Sequence, residues 1–450
     1  MKIGNKIMEP QSEYTFDKIG YHVVYYYYES YWIDLNNMFE YVDNLVGFSF
    51  NDQNINNYQI NEIRGMFQGC SSLESISLEP LKGEYVGDIS SLFYGCTSLK
   101  SVDFADFNPF YLSNMNAVFG NCKSLTSINF TSLNINQVTN MNSLFYNCIS
   151  LTSLNLSHFD TQYVRDIGYM FYGCESLENL NISFNTENIK NMNNMFHNCT
   201  SLKYIELSDF NTINVERMDS MFYNCSSLEY LVLNHFSVAN VKRMDSMFYN
   251  CYSLTSINFF DFNIPNVTRM DSMFYNCSSL TSLYLYTYET QYVEKMDNMF
   301  NNCTSLINLD IFNVENVTDI DSMFYNCKKL SSLNLVFDTE NVERMNNTFY
   351  NCESLTSLYI SNFNTQNVLT MSKMFYNCNS LTYLYLNGFN TQNVIDMDYM
   401  FYNCESLIYL DISYFITGKV KYMEYMFYNC KSITALDLSH FNVQNVENMN

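Results

Sequence analysis

Glycine (13 residues) and proline (4) are scarce in this 450-residue chain, well below their usual shares of about 7% and 5%. That excludes a collagen-like repeat, flexible linkers and Pro-rich disorder. Basic residues are also few, 22 against 46 acidic ones, and they nowhere form a run. A formal net charge of −24 repels phosphate, so neither nucleic acid nor anionic lipid is an expected partner. Polar residues interrupt each apolar stretch well short of the roughly 18 needed to cross a bilayer. The first twenty residues carry no apolar core behind their lysines and do not read as a signal peptide. What the chain has in abundance is core material: 47% hydrophobic residues, with 36 Phe and 39 Tyr. A disordered acidic chain is thereby excluded. The length suits several globular domains or one long repeat array.

The cysteines decide between these. They run from Cys70 to Cys430 at fourteen intervals, eleven of 26 residues, two of 25 and one of 24. Each follows a Phe by three positions, from Phe67 to Phe427. Within a unit, Leu151, Leu154 and Leu156 give an L-x-x-L-x-L segment that ends in strand-like alternation. Val164, Ile167, Met170, Phe171 and Cys174 then fall on a stripe about 120° wide if the backbone is helical. The spacing therefore predicts a strand, a turn, a short helix and a turn per unit. Asn or Gly precedes every cysteine, which predicts a left-handed residue at each helix end. Asn240, Asn266, Asn341, Asn367 and Asn393 stand where helix N-caps are expected. The shorter units lose residues near Ile182, Leu335 and Phe312, in the strand-to-helix connection, where length changes cost least.

A 26-residue unit cannot bury its apolar face alone, so the units must stack. The expected fold is α/β, a right-handed leucine-rich-repeat-like solenoid, with a parallel sheet on the concave face and short helices on the convex one. Residues 1–44, with Trp32, read as an N-terminal cap. Residues 45–450 read as about sixteen rungs rising ~4.8 Å each, including a degenerate rung with Leu45, Phe48 and Phe50 as its strand and Ile60, Ile63, Met66 and Phe67 as its helix. The last rung, with Val446 and Met449, has no polar cap. An edge of that kind is open to self-association.

The L-x-x-L-x-L strand and phrases such as FNTQNVIDMDYMFYNCESL (389–407) resemble the BspA-like leucine-rich-repeat surface proteins with their 26-residue repeat. The resemblance covers residues 45–450. It implies a cell-surface protein that adheres to host proteins or other cells. The lack of an export signal or anchor in these residues leaves the cytoplasm as the alternative.

No catalytic or metal motif accompanies the repeat. The cysteines form no C-x-x-C pair and no Cys/His cluster, so a column of buried thiols is expected, with no metal and no cofactor. His158, His235 and His440 share one unit position in rungs far apart, with no neighbouring ligand. The acids, as in Glu216 beside Arg217, read as a solvated helix face. The informative positions flank the central strand leucine, because alternate strand residues face outward. They are small and polar in early rungs (Ser153, Asn155) and aromatic later: Tyr359, then Tyr383 and Tyr385, then Tyr409. Tyr204 and Tyr230 form a smaller pair, with Tyr284 two rungs on. Tyrosine offers large contact area at little rotamer cost, so these seven are the candidate ligand-binding residues. The expected function is non-enzymatic binding or adhesion to a protein or glycan on the sheet face, with an intracellular or self-assembling scaffold as the alternative.

Overall fold

The computed structural model describes the pairs Lys2–Ile3, Lys6–Ile7 and Val24–Tyr25, and residues 32–48, 59–78 and 81–449, apart from short gaps at 82, 106, 132, 234–235, 258, 260–262, 286–290, 312–314 and 336–338. Most of the expected cap, the Trp32 side chain, Phe50, His235 and Phe312 lie outside the described residues. Strands β1 (Lys2–Ile3), β2 (Lys6–Ile7) and β3 (Val24–Tyr25) form a small antiparallel sheet. From β4 (Trp32–Asp34) and β5 (Gln59–Glu62) onward all pairing is parallel.

The outward-facing strands are three residues long and recur along the rungs: β6 (Ser75–Ser77), β7 (Ser101–Asp103), β8 (Ser127–Asn129), β9 (Ser153–Asn155), β10 (Asn179–Asn181), β11 (Tyr204–Glu206), β12 (Tyr230–Val232), β13 (Ser282–Tyr284), β14 (Asn308–Asp310), β15 (Ser332–Asn334), β16 (Ser357–Tyr359), β17 (Tyr383–Tyr385) and β18 (Tyr409–Asp411), with an isolated bridge from Leu233 to Phe259 between β12 and β13. Their central residues point inward: Leu154, Ile205, Leu231, Leu358 and Leu384 are buried, with polar or tyrosine side chains on either side. A second, narrower ladder runs along another edge of the coil. It bridges each rung to the next from Asp88 through Asn140, Arg217 and Arg344 to Asn448.

The expected helices are absent among the described residues, and the rung from Val215 to Leu228 shows why. Ser220 and Asn224 both have left-handed backbones, φ 55° and 57°, which no α-helix tolerates. The amides of Met221, Tyr223 and Cys225 close turns onto Met218, Ser220 and Phe222, three residues back. The intervening amides of Ser220, Phe222 and Asn224 donate instead to Asp245, Met247 and Tyr249 of the next rung. Half the backbone thus bonds within the rung and half between rungs, and an α-helix would keep all of it within. Successive three-residue turns also have a period near three, so Val215, Met218, Met221, Phe222 and Cys225 share one buried face, as the stripe requires. The inward positions are as read from the sequence; the backbone joining them is not. The short helices expected on the convex face are therefore missing among the described residues.

Left-handed backbone occurs at all fifteen positions before a cysteine, from Gly69 and Gly95 to Asn403 and Asn429. These residues end turns rather than helices. The residues expected as N-caps likewise have no helix to cap among the described residues: the side-chain amides of Asn240, Asn266, Asn367 and Asn393 donate to the carbonyls of Ile213, Ala239, Glu340 and Gln366, one rung back.

One continuous core runs the length of the coil. The phenyl rings from Phe39 through Phe67, Phe93 and onward to Phe427 stack face to face, 5.5 Å apart between Phe171 and Phe196 and 5.4 Å between Phe196 and Phe222. The cysteines line a parallel column, all unpaired, buried except for the half-buried Cys430.

Candidate binding surface

The register of the strands fixes where the seven tyrosines stand. Tyr359 is opposite Tyr385, and Tyr383 is opposite Tyr409. The four therefore occupy two adjacent columns of the sheet face and overlap on β17, as a diagonal across β16, β17 and β18. Tyr359 and Tyr385 stack with centroids 5.3 Å apart and planes 9° from parallel. Tyr359, at 62% exposure, is among the most open large side chains of the molecule; Tyr383 and Tyr409 are also exposed, and Tyr385 is half-buried. The exposed Ile408 stands beside Tyr409 in sequence, and Asp411 is opposite Tyr385. β13 to β18 form one six-stranded sheet, so the diagonal rests on hydrogen-bonded backbone over a buried row of Leu358, Leu384 and Leu410.

Tyr204 and Tyr230 form a second exposed pair, stacked at 6.0 Å and 6°. The Tyr204 hydroxyl donates to the Glu206 carboxylate at 2.6 Å, which raises the phenol's pKa. Glu206 is lowered by its hydrogen bonds from Ser208 and Tyr204. Tyr284 is exposed on β13, opposite Asp310, apart from both groups.

Three features escape the sequence reading. A cleft of about 870 Å³ opens on the sheet face between β8 and β11, lined by Ser127, Ser153, Asn155, Asn179 and Tyr204 among others. On the turn side, a second aromatic ladder stacks Tyr146, Tyr172, His197, Tyr223, Tyr249 and Tyr275, with centroids 4.8, 4.4, 4.4, 4.5 and 4.4 Å apart. Burial pushes the phenol of Tyr249 up to about 12 and the imidazole of His197 down to about 4. Finally, Arg217, Arg243 and Arg269 stand in register, and each grips the aspartate two residues on, Asp219, Asp245 and Asp271, through two hydrogen bonds of 2.8 to 2.9 Å. Asp219 and Asp245 are buried and Asp271 is half-buried, whereas Glu216 beside Arg217 stays partly exposed. The Arg-x-Asp spacing at one unit position was the available signal.

The thiols are poor nucleophiles in this setting. Burial drives their pKa values upward, to about 12 for Cys174 and Cys303, so the thiolate is rare at neutral pH. Among the described residues, no three His, Cys, Asp or Glu side chains gather as metal ligands, and no helix is long and apolar enough to cross a membrane.

A family described as Mycoplasma protein of unknown function, DUF285, matches the chain seven times in overlapping stretches, 33–153, 113–228, 139–260, 202–308, 255–360, 294–407 and 353–450. No curated protein matches. Among solved structures, the chain is similar to a leucine-rich repeat protein from Bacteroides ovatus, with 18% identity over 81% of this chain and 88% of that one and a TM-score of 0.45. It is also similar to a leucine-rich cell surface protein from Faecalibacterium prausnitzii, with 18% identity, 69% and 78% coverage and a TM-score of 0.37. A leucine-rich repeat protein from Eubacterium ventriosum has 13% identity, 87% and 88% coverage and a TM-score of 0.29.

Proposed function

This chain belongs to the DUF285 family of Mycoplasma and BspA-like repeat proteins; we propose that it is a non-enzymatic binding scaffold whose sheet face holds a protein ligand. The observation that carries the reading is the diagonal of Tyr359, Tyr385, Tyr383 and Tyr409 on three consecutive hydrogen-bonded strands. Neighbouring tyrosines on a fixed backbone bury large area with few torsions to freeze, the composition of interface hot spots. Their aliphatic neighbour Ile408, exposed beside them, favours a protein partner, because apolar side chains are what such a patch desolvates. Tyr204 with Tyr230, and Tyr284, extend the same face. A cell-surface setting rests on the BspA-like repeat. The decisive experiment compares the chain with a Tyr383→Ser/Tyr385→Ser variant for adhesion to immobilised extracellular-matrix proteins and to host-cell monolayers. Adhesion should fall by about tenfold or more with an unchanged circular dichroism spectrum; undiminished adhesion refutes the assignment.

A second reading, self-association, is favoured by one observation. An apolar cleft of about 550 Å³ on the last rung is lined by Met426, Phe427, Leu438, Phe441 and Met449, of which Leu438 and Met449 are exposed. In that reading a second copy covers the rung, and the molecule is an assembling scaffold. Sedimentation velocity over a range of concentrations separates the two, since a binding scaffold keeps a constant sedimentation coefficient.

A further inference from the structure

The 870 Å³ cleft lies where the sheet is interrupted. β9 and β10 pair only with each other: among the described residues, no backbone hydrogen bond joins β8 to β9 or β10 to β11. The core columns beneath remain closed, with Phe119, Phe145, Phe171 and Phe196 stacked at 5.5, 5.6 and 5.5 Å. The opening is therefore confined to the strand side. It leaves Ile128 and Leu180 half-buried, whereas their counterparts Val102 and Ile205 are buried.

The chemistry of the lining is specific. Among the described residues, the hydroxyls of Ser127 and Ser153 and the side-chain amides of Asn179 and Asn181 make no hydrogen bond, and the Asn155 side chain uses only its oxygen, toward Ser157. On the rungs just before, the same column is closed, with Asn129 donating to Asp103 at 2.8 Å. At the far wall stands Tyr204. Tyr230, on the following rung, covers one face of its ring, and Glu206 anchors its hydroxyl. The remaining face is turned toward β10 and the cleft, and the ring is held by two contacts before any ligand arrives. Charge is balanced there, with one carboxylate (Glu178) and one ammonium (Lys203) in the lining, on a chain that carries −24 overall.

We propose that this cleft is a second binding site, distinct from the tyrosine diagonal, and that it takes a neutral glycan. A sugar ring presents hydroxyls at its edge and C–H groups on its face. The unengaged serines and asparagines can exchange hydrogen bonds with the hydroxyls, both donating and accepting. The fixed ring of Tyr204 offers the flat apolar surface that the C–H face packs on. The lining sets serine hydroxyls and asparagine amides beside the half-buried Ile128 and Leu180, which suits a ligand with both hydroxyls and an apolar face better than a wholly apolar one, and the surrounding negative field disfavours sialylated or sulfated sugars. Because the tyrosine and its anchors are pre-set, little ordering cost falls on binding.

The test titrates the full chain with neutral cello- and chito-oligosaccharides, and with sialylated and heparin-derived ones, by calorimetry and saturation-transfer NMR. Neutral oligosaccharides should bind, and Tyr204→Ala should weaken them about tenfold. Ser153→Trp, which fills the cleft from an exposed position, should abolish binding, while Tyr383→Ser/Tyr385→Ser should leave it unchanged. Circular dichroism and urea midpoints confirm that each variant folds. Absence of neutral-sugar binding at millimolar concentration, preference for the acidic sugars, or indifference to both cleft variants would overturn the proposal. So would loss of sugar binding in the diagonal variant, which would merge the two sites. Failure of protein adhesion through the diagonal leaves this site untouched.

Discussion

The sulfur of Cys225 lies 3.0 Å from the carbonyl oxygen of Phe196, one rung back. The same contact recurs from Cys70 with Phe39 to Cys430 with Phe401, at 3.1 Å in both. The thiol is thus more than a small apolar filler. It donates to a carbonyl that already accepts the amide of its own rung's Cys199, and so helps to tie successive turns together.

That placement sets the cysteine chemistry. With a maleimide at pH 7.5, Cys430, half-buried with a pKa near 11, should react first. Cys174 and Cys303 should react only after unfolding. Mass spectrometry with time-resolved labelling checks this; early modification of the internal column would show that the coil opens readily. Replacing Cys225 by Ala removes the weak hydrogen bond and leaves a small void, and should cost about 1–2 kcal/mol in urea unfolding.

Two left-handed positions per rung define the turn segment, and they differ in how visible they are in sequence. The one before each cysteine is always Asn or Gly, residues that adopt positive φ easily. The other is Ser220 in one rung, Ala117, Tyr169 or Lys373 in others, and carries no such mark. An apolar period of three is shared by a helix face and by a run of tight turns, so the stripe around Met218 and Phe222 could not separate them. The stacking follows from the repeat, the buried thiols from the stripe and the outward tyrosines from strand alternation, and all three were legible. The cleft was not, because Ser153 and Asn179 in the interrupted strands are the same residue types as Ser282 and Asn308 at the same position of the continuous sheet. Substituting Ser220 by Gly should relieve backbone strain and raise stability by roughly 0.5–1 kcal/mol. Asn224→Val should lower it by about 2 kcal/mol, since it adds a β-branched side chain at φ 57° and removes the amide donated to Asn198 at 2.9 Å. Equal stability of both variants in denaturant titrations would contradict the turn assignment.

His197 replaces tyrosine in the outer aromatic ladder, 4.4 Å from both Tyr172 and Tyr223, with a buried Nδ1 that has no hydrogen-bond partner among the described residues. Burial lowers its pKa from 6.5 to about 4, so the folded state favours the neutral ring. Between these values the unfolded chain binds a proton that the folded chain refuses, and stability falls as pH drops from 6.5 toward 4. The ring is only half-buried, so the loss at pH 4 should be about 1–2 kcal/mol once solvent screening is allowed for. His197→Tyr, which restores the ladder, should remove this component. Parallel melting curves of the two proteins at pH 7 and pH 4.5 test it: equal acid sensitivity in both would rule out His197 as its source.

The arginine column poses a sharper electrostatic question. Arg217, Arg243 and Arg269 are partners in one parallel ladder, an arrangement of like charges that only neutralisation can hold. Each is neutralised within its own rung, Arg243 by the buried Asp245 at 2.9 and 2.8 Å. Where the column changes to Asp319, Lys295 and Arg344 approach that carboxylate from either side, at 3.8 and 3.9 Å. Asp245→Ala removes the central counter-charge and leaves three guanidiniums against two carboxylates. The expected cost is about 1–3 kcal/mol, larger than for an exposed surface pair. Because the uncompensated repulsion is between partly exposed groups, salt should recover part of it. The urea midpoint of the variant should therefore rise toward that of the parent between 50 mM and ~1 M NaCl, where the Debye length shrinks to about 3 Å. A deficit independent of salt would assign the loss to packing around Asp245 and not to the charge ladder.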